Sequence, residues 1–395
     1  MTLQTMNDCL ECLFSLGRNS MQKIHFKTTI WLGSEVLEGL KELKNRRIFL
    51  VADPFLIENG QINEIVRHID HNDYLVFSDI VPDPPIEKIV SGVKQIVDFQ
   101  ADIILTIGGG SAIDAAKAMK YFANRILTNK IDQLIAIPTT SGTGSEVTNF
   151  SIITIPERGT KFPLVTDEIQ PDIAILDTNL VMGVPPAITA DTGMDVLTHI
   201  LESYVSTKAT VLSDAYCEKA VKLVFKYLEK AHKNGEDRQA REMMHLASCL
   251  AGIAFNQTSL GINHGIAHAA GARLHIPHGR INGILLPSVI QFNADLNEAG
   301  HLQNKAAVKY LKLAKCLGAS TNNPRMGVNT LIRQIIQLRN SLKMPATLSE
   351  FGLEKREVEQ VIPAIAEAAI NDACTKTNPV VPSLQDIETI IQELL

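Results

Sequence analysis

The stretch Ile103-Ile-Leu-Thr-Ile-Gly-Gly-Gly-Ser-Ala-Ile-Asp-Ala-Ala-Lys-Ala-Met119 opens on aliphatic and β-branched residues, breaks at three glycines and resumes as an Ala-rich helical pattern. A strand that ends in a glycine turn and enters a helix predicts a β-α unit of a mostly parallel sheet. Similar short runs at 48–52, 74–77, 134–137 and 173–176 alternate with helical patterns on either side. The runs at 151–155 and 161–165, separated by Pro156-Glu-Arg-Gly-Thr160, resemble a hairpin. After Val184-Pro-Pro186 the β signal ends, and residues 187–395 read as successive helices punctuated by Pro and Gly. The expectation is an α/β N-terminal domain over 21–185 and an all-α C-terminal domain over 186–395, with a ligand in the crevice between them.

The composition belongs to an ordinary globular chain, with 45% apolar and 20% charged residues among 395. Thirty-seven basic residues against 43 acidic ones give a net charge of −6, and no Lys/Arg block attracts nucleic acid or an anionic membrane. No window has the 18 or more apolar residues of a membrane span. Six cysteines, Cys9, Cys12, Cys217, Cys249, Cys316 and Cys374, are too scattered for a disulfide framework, which fits a cytoplasmic protein. Cys9 and Cys12 form a C-x-x-C with neither a second pair nor histidines nearby to complete a zinc site. Residues 1–20 read as a leader and linker, because Leu3, Met6, Leu10, Leu13 and Phe14 recur at helical spacing within 2–16. That segment reads either as a docking peptide or as a fraying leader.

Ligands of open α/β sheets gather at the carboxyl ends of the strands. There, Gly109, Gly110 and Ser111 would let backbone N–H groups approach a phosphate at a helix N-terminus, with Asp114 one turn on; the alternative is a tight structural turn. Neither G-x-G-x-x-G nor G-x-x-x-x-G-K-[ST] is matched. Pro138-Thr-Thr-Ser-Gly-Thr-Gly-Ser-Glu146 follows the next strand and supplies hydroxyls for phosphate and ribose, or simply a helix cap. Asp53 closes the first of these strands, where a carboxylate accepts from an adenosine ribose and repels a 2′-phosphate, favouring NAD over NADP; a surface turn is the plain alternative.

The helical half carries a second constellation. Asp195 and His199 in Gly193-Met-Asp-Val-Leu-Thr-His199 lie four apart, on one face of a helix, and His264-Gly-Ile-Ala-His268 repeats that spacing before His275 and His278. Three imidazoles and a carboxylate suit Fe²⁺ or Zn²⁺ and not an all-oxygen Ca²⁺ or Mg²⁺ site.

Together these motifs, spread over residues 25–390, resemble the iron-containing (group III) alcohol dehydrogenases, and within them the branch that serves propanediol- and ethanolamine-utilising microcompartments. The resemblance implies Asp195, His199, His264 and His278 as metal ligands, with His268 close to the metal and the nicotinamide. It further implies NAD(H) along Asp53, Gly109, Gly110, Ser111, Asp114, Thr139, Thr140, Thr143, Thr148 and Lys161, and a homodimer. Asn378-Pro-Val380 departs from it, since many members have Arg after Asn-Pro.

The function so implied is metal-dependent, NAD(H)-linked interconversion of short primary alcohols and aldehydes, with His268 relaying the hydroxyl proton or orienting the metal's surroundings. Phe150 and Phe255 would wall an alkyl chain, or belong to the core. The leader would dock to a shell or cargo partner of a bacterial microcompartment. Two rivals are a dehydroquinate-synthase-like lyase, which would need a basic pocket, and a non-catalytic shell-associated protein.

Overall fold

The computed structural model describes residues 24–158, 160–295 and 305–395, without the side chains of 158, 160 and 161. The leader at 2–16 and the Lys161 side chain therefore lie outside the described part. The strands are β1 (Thr29–Leu32), β2 (Arg47–Ala52), β3 (Asp73–Phe77), β4 (Ile103–Gly108), β5 (Gln133–Pro138), β6 (Phe150–Ile155), β7 (Thr160–Val165) and β8 (Ile173–Leu176). Six of them form one sheet in the order β1-β8-β5-β4-β2-β3, and every pair in it is parallel. β6 and β7 pair separately as the expected antiparallel hairpin, and β1 is an edge strand that the sequence reading did not anticipate.

The sheet is buried on both faces, so its central strands are almost continuously apolar. Phe49, Val51, Ile104 and Leu134 point to one core, and Ile48, Leu50, Ile103, Leu105 and Ile135 to the other. Chain connections leave β2 and β4 in opposite directions along the sheet, which makes a switch point at their carboxyl ends.

The helices on the sheet are α1 (Pro54–Glu58), α2 (Ile62–His68), α3 (Ile86–Phe99) and α4 (Gly110–Ile126). From Pro186 onward only helices follow: α5 (Pro186–Val205), α6 (Val211–Lys233), α7 (Arg238–Thr258), α8 (Ile262–Leu274), α9 (His278–Ala294), α10 (Lys305–Cys316), α11 (Pro324–Ser341), α12 (Leu348–Phe351), α13 (Lys355–Asn371) and α14 (Leu384–Gln392). α5 starts at a proline, whose fixed φ suits a first turn, and is buried almost all round from Gly193 to Val205. Among the described residues no helix is long and apolar enough to cross a membrane, and Cys217, Cys249, Cys316 and Cys374 are free thiols.

Candidate metal centre and nucleotide cleft

α5, α8 and α9 bring the four expected ligands around the Asp195 carboxylate. Donor atoms of Asp195, His199 and His264, all buried, lie within 4.8 Å of one another. Asp195 Oδ2 is 3.9 Å from His199 Nε2, and Asp195 Oδ1 is 3.5 Å from His264 Nε2 and 3.6 Å from His278 Nε2. His278 is the open member, with 44% of its side chain exposed. Its helix start is held on α5 by the two-pronged pairing of Arg280 with Asp191, at 2.9 and 3.0 Å.

Neighbouring residues, which sequence reasoning missed, orient this set. Glu202, one more turn along the Asp195–His199 face, accepts from Nδ1 of His264 and from the backbone N–H of Asn263. Asn282, four residues after His278, donates from Nδ2 to Asp195 Oδ1 at 2.7 Å. That nitrogen also sits 3.2 Å from Nε2 of both His264 and His278. One amide nitrogen thus lies within 3.2 Å of Asp195, His264 and His278 at once.

The electrostatics match. Burial would raise the Asp195 carboxyl, but His199, His278 and His264 hold it well below the usual carboxylate range. Burial pushes His199 down to about 4, so it is neutral and able to ligate at pH 7. Burial works against the charged form of His264 too, yet Glu202 and Asp195 outweigh it and raise that ring to about 9; the centre attracts positive charge. An N₃O donor set, buried except at His278 and anion-biased, fits a divalent transition metal.

Across the cleft, the loops after β2, β4 and β5 lie side by side, since Ala52 is paired with Ile107 and Gly108 with Pro138. Gly109 is the N-cap of α4 and has no side-chain cap, leaving first-turn N–H groups free for an anion. A Cβ on Gly110 would fall 2.7 Å from Thr143 Cγ2, so only glycine lets the two loops close on each other. Gly109, Gly110, Ser111, Thr139, Thr140 and Thr143 are all partly exposed on this rim, with Asp53 beside them. This cradle fits a pyrophosphate.

Asp114 and Thr148 are placed differently from the other expected contacts. Asp114 accepts from Ser145 Oγ (2.6 Å) and from the Ile152 N–H (3.0 Å), and buried Lys117 donates to Ser145, Thr148 and the Phe150 carbonyl. They weld the two nucleotide loops together from behind. Phe255 packs against His199 with ring centroids 4.6 Å apart and a tilt of 32°, whereas Phe150 is half-buried at the start of β6 and anchored there by Lys117. Gly142 packs on Thr192, three residues before Asp195, which joins the nucleotide rim to the metal helix. Asn378 is buried and bonded to Asn293, the Ile262 N–H and the Val380 carbonyl, so the C-terminal segment is anchored without the usual arginine.

Comparison with known proteins matches residues 27–178 to the family described as iron-containing alcohol dehydrogenase. Residues 189–395 match the Fe-containing alcohol dehydrogenase family, C-terminal. The 1-propanol dehydrogenase PduQ of Citrobacter freundii is 42% identical over 95% of this chain and 100% of its own. The NADPH-dependent butanol dehydrogenase of Clostridium saccharobutylicum is 36% identical, covering 91% and 94% of the two chains. Among solved structures, a 1,3-propanediol oxidoreductase superposes with a TM-score of 0.86 at 29% identity, over 95% of this chain and 100% of that one. These matches set aside the lyase reading. With both halves and a full-length relative in agreement, the chain belongs to the iron-containing alcohol dehydrogenases, a family of oxidoreductases.

Proposed function

We propose that the protein interconverts short-chain primary alcohols and aldehydes with NAD(H) and iron, working mainly as a reductase of propionaldehyde or acetaldehyde that regenerates NAD⁺. The observation that carries this is the clustering of Asp195, His199 and His264, with His278 3.6 Å from Asp195. The 42% identity to a 1-propanol dehydrogenase supports a three-carbon substrate. Zinc suits the same donors; iron is the choice that the family favours.

When bound, the metal supplies Lewis acidity toward the substrate oxygen and the nicotinamide exchanges the hydride. The chain does the rest. Asp195 and the three imidazoles hold the cation, and the uncapped start of α4 with Thr139, Thr140 and Thr143 holds the dinucleotide. Phe255, packed on His199, covers the site with an apolar ring and keeps water from it. His268 exchanges the hydroxyl proton at its ring, since a neutral imidazole carries one donor and one acceptor nitrogen.

Anaerobically purified, iron-loaded protein tested on an aldehyde panel decides the matter. NADH oxidation fastest with two- to four-carbon aldehydes is expected; metal bound at unit stoichiometry with no turnover of any aldehyde would reject the reading. Residues 2–16, by their amphipathic pattern alone, support encapsulation in a microcompartment. A reporter fused to residues 1–20 that stays diffuse in compartment-forming cells would remove that part.

A further inference from the structure

One polar contact beside the imidazole cluster has no place in the reaction so far. Asp372 caps the end of α13, and its Oδ2 lies 2.9 Å from Nδ1 of His268, 104 residues away in sequence. Its other oxygen, Oδ1, accepts from the Cys374 N–H at 2.7 Å, so the carboxylate is pinned on both sides. Burial would raise this carboxyl, but the bonds from His268 and Cys374 hold it at about 2. An ionised carboxylate only accepts, so the proton in the bond belongs to Nδ1 and the ring's lone pair is left on Nε2. The ring plane is set as well. His268 stacks on His278 at 5.4 Å and 12°, and stands edge-on to His264 at 5.8 Å and 68°.

The fold goes out of its way to make this contact. A Cβ at Gly265 would fall 2.2 Å from Thr375 Oγ1 and 3.1 Å from the Ala369 carbonyl, so the chain around Asp372 lies directly on the backbone of α8. Within that segment Thr375 donates to Ala369 O at 2.7 Å, which closes the turn that carries Asp372.

We propose that Asp372 is a positioning residue, which fixes the tautomer and plane of His268 so that Nε2 meets the substrate hydroxyl. The inference rests on the proton relay assigned to His268 above. The Cys374 thiol also comes within 4.8 Å of the His268 and Asp372 donors, the makings of a second cation site. The hydrogen bonds already satisfying both Asp372 oxygens favour the pair over the cation.

The test is a double-mutant cycle on the iron-loaded enzyme with Asp372→Ala, His268→Ala and both. Asp372→Ala is expected to lower kcat about 10–100-fold, with iron content and NADH affinity unchanged, and to cost nothing further in the His268→Ala background. Asp372→Asn, which keeps an acceptor, should recover part of the loss. In ¹⁵N-histidine-labelled, zinc-loaded protein, one ring should lose its Nδ1-protonated signature in Asp372→Ala. An equal loss of kcat in the His268→Ala background would mark Asp372 as merely structural and overturn the proposal. So would a second metal equivalent per chain that disappears with Asp372→Ala. Full activity of His268→Ala would instead remove the relay itself, and this inference with it.

Discussion

Glu202 Oε2 lies 2.5 Å from His264 Nδ1, on the same face of α5 that carries Asp195 and His199. The contact makes Nδ1 the proton-bearing nitrogen and turns Nε2 toward the cluster, where it is 3.5 Å from Asp195. Glu202→Gln preserves the bulk but aims an N–H₂ at an N–H. Iron affinity should fall about 10–100-fold, read by chelator competition, while NADH binding stays unchanged.

Asp195 is the carboxylate that all three candidate imidazoles surround. Asp195→Ala leaves those rings without their shared anion and removes one ligand from a set of four. Lewis-acid assistance contributes several kcal/mol, so loss of the metal should lower kcat by at least about 10³-fold. Iron content by mass spectrometry should fall in parallel; full iron occupancy with full activity would show the centre to be elsewhere.

Asp53 Oδ1 accepts from the Phe55 N–H at 3.0 Å and so caps α1, beside Gly108 at the start of the glycine turn. Asp53→Ser keeps a good capping residue and removes the charge. Two like charges about 4 Å apart near a surface repel by about 1–4 kcal/mol. The ratio of kcat/KM for NADPH over NADH should therefore rise about tenfold or more. An unchanged ratio would assign Asp53 to the helix cap alone.

What could be read from the sequence followed from local pattern. The strands at 103–107 and 134–137 are apolar runs ended by glycine or proline, that at 48–52 ends at Asp53-Pro54, and the candidate ligands Asp195 and His199 obey the four-residue period of a helix. Glu202 was equally legible, three residues beyond His199 on that face. β1 was not, because four residues at an edge depend on β8, 144 positions away, for their partner. Asp372 had no local signal either, as its meaning comes from a contact spanning 104 residues. Asp114 and Thr148 show the limit of motif reading: a loop hydroxyl or carboxylate faces a ligand or the core equally well. The two lysines three apart in the apolar α4, Lys117 and Lys120, both turn out buried, and Lys117 is the partner that draws Ser145 and Thr148 inward.

His245 is 2% exposed, with Nδ1 3.0 Å from Ser141 Oγ and Nε2 without a partner. Burial pushes its imidazole down to about 4. Between that value and the ordinary one near 6.5 the unfolded chain binds the extra proton, so stability falls as pH drops through this window. The term is negligible at pH 7 and about 2 kcal/mol at pH 5. In chelator-treated protein, unfolding free energies from urea titration at the two pH values should differ less for His245→Gln than for the parent, by about 2 kcal/mol.

Lys117 is fully buried and supplies three hydrogen bonds that tie α4 to the loop and strand after β5. Burial lowers its ammonium to about 8, partly offset by Asp114 and by Glu146. Removing one partner of a buried charge group strands the other, at about 3–5 kcal/mol. Lys117→Met should therefore destabilise by that order in urea, and the Asp114→Asn change should recover much of it, because the stranded carboxylate is then gone. The same substitution loosens Ser145 and Thr148, which hold the two halves of the nucleotide rim together. NADH affinity should then fall while iron content, set by α5, α8 and α9, does not. Equal loss of both would mean that the loops and the metal helices unfold as one cooperative unit.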